Sequence, residues 1–150
     1  MDPNYIKMVR SAVEIQGGWW PKDGDMFLFE DKDTEESFID YCPAYTSQKV
    51  ETEEDKFHLN FYKENCIYLP RQEDLQKIYK EKKELSFDCC YVQFKRWDAF
   101  RYQHERFEHG LPYFEIFETG DWNVLWLCFV METCYHKKWN METQTWETTQ

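Results

Sequence analysis

The spacing of apolar positions divides the chain into short elements. Over residues 4–16, NYIKMVRSAVEIQ, the side chains Tyr5, Met8, Val9, Ala12 and Ile15 or Val13 recur at helical intervals, with Lys7, Arg10 and Glu14 on other faces. This is the pattern of an amphipathic helix. Gly17 and Gly18 follow, and a glycine just past a last turn can adopt the left-handed conformation that closes a helix. Trp19 and Trp20 come next, then Pro21, which biases Trp20 towards extended backbone. Asp23-Gly24 is turn chemistry. Met26–Phe29 is apolar on both faces and reads as a short interior strand.

Residues 30–37 are charged and read as a loop. Phe38–Tyr41 reads as a strand, and so does Phe57–Tyr62, where Phe57, Leu59 and Phe61 alternate with His58, Asn60 and Tyr62. Cys66–Leu69 is extended and ends at Pro70. Residues 71–84 read as a helix with Leu75, Ile78 and Tyr79 on one face. Its acids stand first and its lysines last, the order that suits the helix dipole. The aromatic-rich stretch 86–95 reads as a strand, 96–109 as a helix, and 111–117 as extended. Thr119-Gly120-Asp121 offers cap chemistry for a helix over Trp122–Lys137, apolar nearly all round at its start and therefore central. The tail around Trp139 and Trp146 predicts an edge strand or hairpin. The expected fold is α+β: two to three helices packed on a small, mostly antiparallel sheet, with an aromatic-rich core.

Length and composition sharpen this picture. The 150 residues suit a single domain over 1–150, with 85–112 as an insertion or divergent segment. With 12 Phe, 10 Tyr and 7 Trp, the core is expected to be built from rings. Net charge is −11, against a phosphate-backbone binder and against docking on anionic lipid. Its plain reading is solubility. The sharper one is a decoy for the basic groove of a DNA-binding protein. Cys42, Cys66, Cys89, Cys90, Cys128 and Cys134 are too sparse for a disulfide scaffold and no signal peptide opens the chain, so they read as free thiols in a reducing cytoplasm. The longest uncharged apolar run, Trp122–Met131, is half of what a membrane span needs.

Candidate chemistry is sparse. His104 and His109 are five apart, whereas zinc-protease histidines are four apart and share a helix face. Cys128, Cys134 and His136 lack the paired spacing of a zinc site. Asp23, Asp25, Asp31 and Asp33 are split by a strand, unlike a calcium loop, and read as solvated turn carboxylates. No metal site, cofactor site or catalytic residue is predicted. The binding candidates are Trp19 and Trp20, read either as an exposed aromatic patch or as the corner that joins a helix to a sheet.

Three islands resemble a group of small phage and prophage proteins of Gram-positive bacteria. They are Ala12-Val13-Glu14-Ile15-Gln16 with Trp20-Pro21-Lys22-x-Gly24-Asp25; Tyr68-Leu69-Pro70-Arg71-Gln72-x-x-Leu75-Gln76; and Trp122-x-x-Leu125-Trp126-Leu127-x-Phe129-Val130-Met131 with Tyr135, Lys138-Trp139-Asn140 and Trp146. They cover about a third of the chain and carry no catalytic motif; their order makes the likeness. The resemblance implies an intracellular life in the bacterial host and brings no activity with it. The leading expectation is a non-enzymatic accessory protein that binds a host or phage protein, since Trp and Tyr are favoured interface anchors. The alternative is a binder of a small molecule or nucleotide-type ligand. A third reading is a hydrolase using His104 or Cys134.

Overall fold

The computed structural model describes residues 2–31, 37–42, 53–108 and 121–149. Among these the fold is α+β, with six helices and two small antiparallel sheets. The residues gather into two compact units, one formed by Met1–Met8 with Arg71–Gln150 and the other by Val9–Pro70.

The amphipathic stretch near the start is two helices, α1 (Pro3–Ser11) and α2 (Val13–Gly18), because Ala12 leaves helical backbone with φ −82° and ψ 72°. Gly17 and Gly18 lie inside the last turn of α2, and the expected left-handed stop is absent there. Among the described residues the left-handed glycine is Gly24, φ +78°, in the turn before β1. Strand β1 (Met26–Glu30) pairs antiparallel with β2 (Ser37–Tyr41), Phe29 opposite Phe38 and Leu28 opposite Ile39. On its other side β1 pairs antiparallel with β3 (Cys66–Tyr68), Phe27 opposite Tyr68. The sheet order is therefore β2-β1-β3.

Residues 57–62, expected as a strand, belong to helix α3 (Glu53–Asn65). The alternation that suggested a strand also places Phe57 and Phe61 one helical turn apart. The rings of Phe61 and Tyr62 meet those of Phe29 and Phe27 on one face of the sheet, 6.0 and 5.2 Å between centroids.

In the other unit, α4 (Gln72–Lys83) has its first turn held by Asp74, whose carboxylate accepts the Arg71 N–H at 2.8 Å. The stretch 86–95, also expected as a strand, is the first part of a long helix, α5 (Phe87–Glu108). Cys90 and Phe94 are buried on it at helical spacing, with Trp97 half-buried beyond them. The expected extended piece at 111–117 lies outside the described residues. Helix α6 (Trp122–Tyr135) is the central element, as its all-round apolar character demands: Val124 and Trp126–Met131 are buried. Phe94 stacks on Trp126 at 4.3 Å and meets Phe129 edge-on at 5.4 Å, while Tyr79 of α4 reaches Phe129 at 4.5 Å. Asp121 caps α6 by accepting the Asn123 N–H at 2.8 Å. The tail forms the hairpin β4 (Lys137–Asn140) and β5 (Thr145–Thr148), with Trp139 opposite Trp146. The Trp146 indole N–H donates to the Met8 carbonyl at 2.9 Å.

Candidate interaction surface

Trp19 and Trp20 are adjacent in sequence and opposite in fate. Trp19 follows the last turn of α2 in extended backbone, φ −70° and ψ 129°. Its ring is buried and lies flat on Tyr68, centroids 5.0 Å apart. Its indole N–H donates to Asp25 Oδ2 at 2.8 Å, and the same oxygen accepts the Lys22 N–H at 3.0 Å. The predicted patch therefore loses Trp19, which belongs to the corner. It also loses the solvated reading of Asp25, a buried carboxylate that ties the Trp-Trp-Pro-Lys turn to the start of β1. Trp20 is half exposed, with the Lys63 ammonium 4.6 Å from its ring centre.

The sheet of this unit has two edges, and they are finished differently. The Leu69 N–H donates to the Met26 carbonyl and the Cys42 N–H to the Asp25 carbonyl. Backbone groups alternate sides along a strand, so Phe38 and Asp40 point theirs at β1, while Ser37, Ile39 and Tyr41 turn theirs outward. On β3 the outward groups of Tyr68 are taken by the Gln16 side chain. Its Oε1 accepts the Tyr68 N–H and its Nε2 donates to the Tyr68 carbonyl, both at 3.0 Å. Gln16 thus imitates one residue of a further strand. On β2 the Tyr41 N–H goes to the carboxylate of Asp40, next to it in the chain, at 2.8 Å. Ile39 has no such plug among the described residues.

Side chains on β2 are equally open. All five of its residues are exposed, although they include Phe38, Ile39 and Tyr41 at 51, 42 and 57%. Phe38 adjoins Phe29, 5.2 Å between centroids, and Phe29 adjoins the exposed Phe61 of α3. An aromatic stripe so runs from the sheet edge to the helix. Gln16 lies in the first of the three sequence islands, yet nothing there marked it as closing a sheet edge, and Ile39 did not stand out. Gln16 could have been found as a polar residue at the end of an amphipathic helix. Ile39 carried no signal, because which strand lies at an edge is a property of the topology.

The remaining candidates are scattered. His104 falls on α5, where its side chain is outside the described set, and His109 lies outside the described residues. Cys134 is half-buried on α6 and His136 is exposed beyond its end. Among the described residues no three His, Cys, Asp or Glu side chains converge as metal ligands would, and no helix is long and apolar enough to cross a membrane. Burial pushes the Cys42 thiol up to about 12, helped by the nearby Asp25 carboxylate, and the Cys66 thiol to about 11. Cys134 is likewise raised by burial, against the pull of the Thr133 hydrogen bond and of Lys83 and Lys82. A thiol held in its protonated form is a poor nucleophile at neutral pH.

Compared with models of known protein families, with characterised proteins and with solved structures, the chain matches none.

Proposed function

We propose that this is a phage-encoded accessory protein, acting inside the bacterial cell by binding another protein. One observation carries the reading: β2 is exposed along its whole length while three of its five side chains are Phe, Ile and Tyr. Sheet proteins usually protect such an edge with Lys, Pro or a covering element. An apolar edge left open, continued by Phe61 on the neighbouring helix, has the aromatic-rich composition of an interface centre. The phage attribution rests on the order of the three sequence islands.

The test is affinity capture from infected or lysogenic cells with wild-type bait and a Phe38→Ser/Phe61→Ser double variant, both checked for native circular dichroism. Both side chains are exposed, at 51 and 40%, and the circular dichroism check guards the contact that Phe61 makes with Phe29. The reading expects a partner recovered by the wild type and reduced about tenfold by the variant, since aromatic anchors dominate interface energy. Equal recovery with both baits contradicts it.

A further inference from the structure

The Val9–Pro70 unit carries 14 acidic and six basic residues, a net charge of −8 out of the chain's −11. Resting on the protein-binding reading, and narrowing it, we propose that the partner adds a β-strand to the open edge of β2, and that this strand is cationic, alternating Lys or Arg with apolar residues.

Three features converge on this occupant. The first is the asymmetry of the edges. Gln16 closes β3 with a side-chain amide that satisfies both outward groups of Tyr68, whereas among the described residues the outward N–H and carbonyl of Ile39 meet no equivalent. Strand addition supplies those hydrogen bonds from a partner backbone. The second is the side-chain pattern. Phe38 and Asp40 share one face of β2, and Ile39 and Tyr41 share the other. A strand of that pattern laid beside β2 would set its Lys or Arg residues against Asp40 and over the Phe38 ring on one face, and its apolar residues against Ile39 and Tyr41 on the other. The third is charge. The one charged residue of β2 is acidic, and so is the unit that carries it. A second copy of this chain would set −8 against −8 and Asp40 near its own counterpart. Like charges across a strand pair are unfavourable, so the edge discriminates against itself while a cationic strand is drawn in.

The experiment uses the full chain and three short synthetic peptides. One alternates lysine with valine. The second is identical but N-methylated at alternate residues, which removes the hydrogen bonds of one strand edge. The third carries glutamate in place of lysine. Affinity is read by fluorescence anisotropy, and hydrogen exchange is followed at the Ile39 amide. The lysine peptide should bind, more tightly at low salt, and slow exchange at Ile39 about tenfold or more by enclosing that amide in a ladder. The N-methylated and glutamate peptides should bind at least about tenfold more weakly. Ile39→Pro, which deletes the outward N–H, and Ile39→Lys, which adds a repelling charge, should each weaken the lysine peptide about tenfold. If Ile39→Pro unfolds, Ile39→Lys carries the comparison.

Equal binding of the lysine and N-methylated peptides, or an unchanged Ile39 amide at saturation, would overturn strand addition. Equal binding of the glutamate peptide would overturn the cationic assignment. A dimer in sedimentation that Ile39→Lys dissolves would make a second copy the occupant and overturn the proposal. Failure here is separable from failure of the protein-binding reading. A captured partner lost with Phe38→Ser/Phe61→Ser but kept by Ile39→Lys sinks strand addition alone. A partner indifferent to the phenylalanine pair sinks the reading beneath it.

Discussion

The Trp19 indole and the Tyr68 ring are parallel to within 1°, and the Trp19 N–H ends on Asp25. Trp20, one residue on, shares neither contact. The pair therefore divides into a residue that holds the corner and one that faces solvent. Trp19→Phe keeps the stacking but leaves a buried carboxylate short of one donor, which costs about 1–3 kcal/mol. Trp20→Ala removes an exposed ring and its Lys63 contact, which costs about 1 kcal/mol at most. Urea unfolding followed by far-ultraviolet circular dichroism should separate the two midpoints in that order. Equal shifts would remove the distinction.

Phe94 joins the α5 and α6 rings. It is fully buried, stacks on Trp126, meets Phe129 edge-on and reaches Trp97 and Trp122 at 5.9 Å. Phe94→Ala should destabilise by about 3–5 kcal/mol, the range for removing a large core ring. Tryptophan fluorescence during denaturant unfolding reports it directly, because three of the rings involved are Trp. A loss under 1 kcal/mol, the scale of a volume-conserving swap, would mean the cluster does not hold the helices together.

Alkaline stability follows from the buried acids. The folded state raises Cys42 to about 12 and Cys66 to about 11 from an ordinary 9.0, and raises Tyr5 well above 10.0, in each case chiefly by burial. Between pH 9 and 12 the folded chain therefore binds more protons than the unfolded one, so stability falls as pH rises through this window. The contribution is complete below pH 9, where the thiols are neutral in both states. The melting temperature should be level from pH 7 to 8.5 and drop above 9. In Cys42→Ala/Cys66→Ala that drop should be shallower. An unchanged slope in the double variant would assign the alkaline loss to other groups.

His136 ends α6 in left-handed backbone, φ 55° and ψ 44°, while its N–H closes the helix on Glu132. A side chain at such a position costs about 1–2 kcal/mol, and glycine relieves it against a loss of about 0.5–1 kcal/mol of chain entropy. His136→Gly should therefore stabilise by about 0.5–1 kcal/mol, seen as a higher melting temperature. His136→Ala, which keeps the Cβ, should show no such gain.

The sequence revealed elements where one periodicity stood alone. Met26–Glu30, the α4 helix, the central α6 and the tail hairpin lie where their patterns placed them. It misled where aromatic residues satisfied two periods at once. Phe57, Leu59 and Phe61 alternate as in a strand, yet Phe57 and Phe61 are also one helical turn apart, and the packing of Phe61 and Tyr62 on the sheet decides for the helix. Cys90 and Phe94 likewise lie a turn apart within a ring-rich stretch that read as a strand. Of the two tryptophans singled out in the sequence, Trp19 is buried and Trp20 is half exposed, a division that no local pattern marked. The Gln16 plug and the open side of β2 depend on sheet order, which no local window contains.

The bond from the Trp146 indole to the Met8 carbonyl spans 138 positions of the chain. The unit that contains it is discontinuous in sequence, and the Val9–Pro70 unit is one unbroken stretch between its parts. On a ribosome, Val9–Pro70 has every residue it needs while the codon for Trp146 is still unread. Met8 must wait until Trp146 has been added. Translation therefore imposes an order of assembly, the contiguous unit free to fold first and the closing of the other unit postponed until Trp146 has been made.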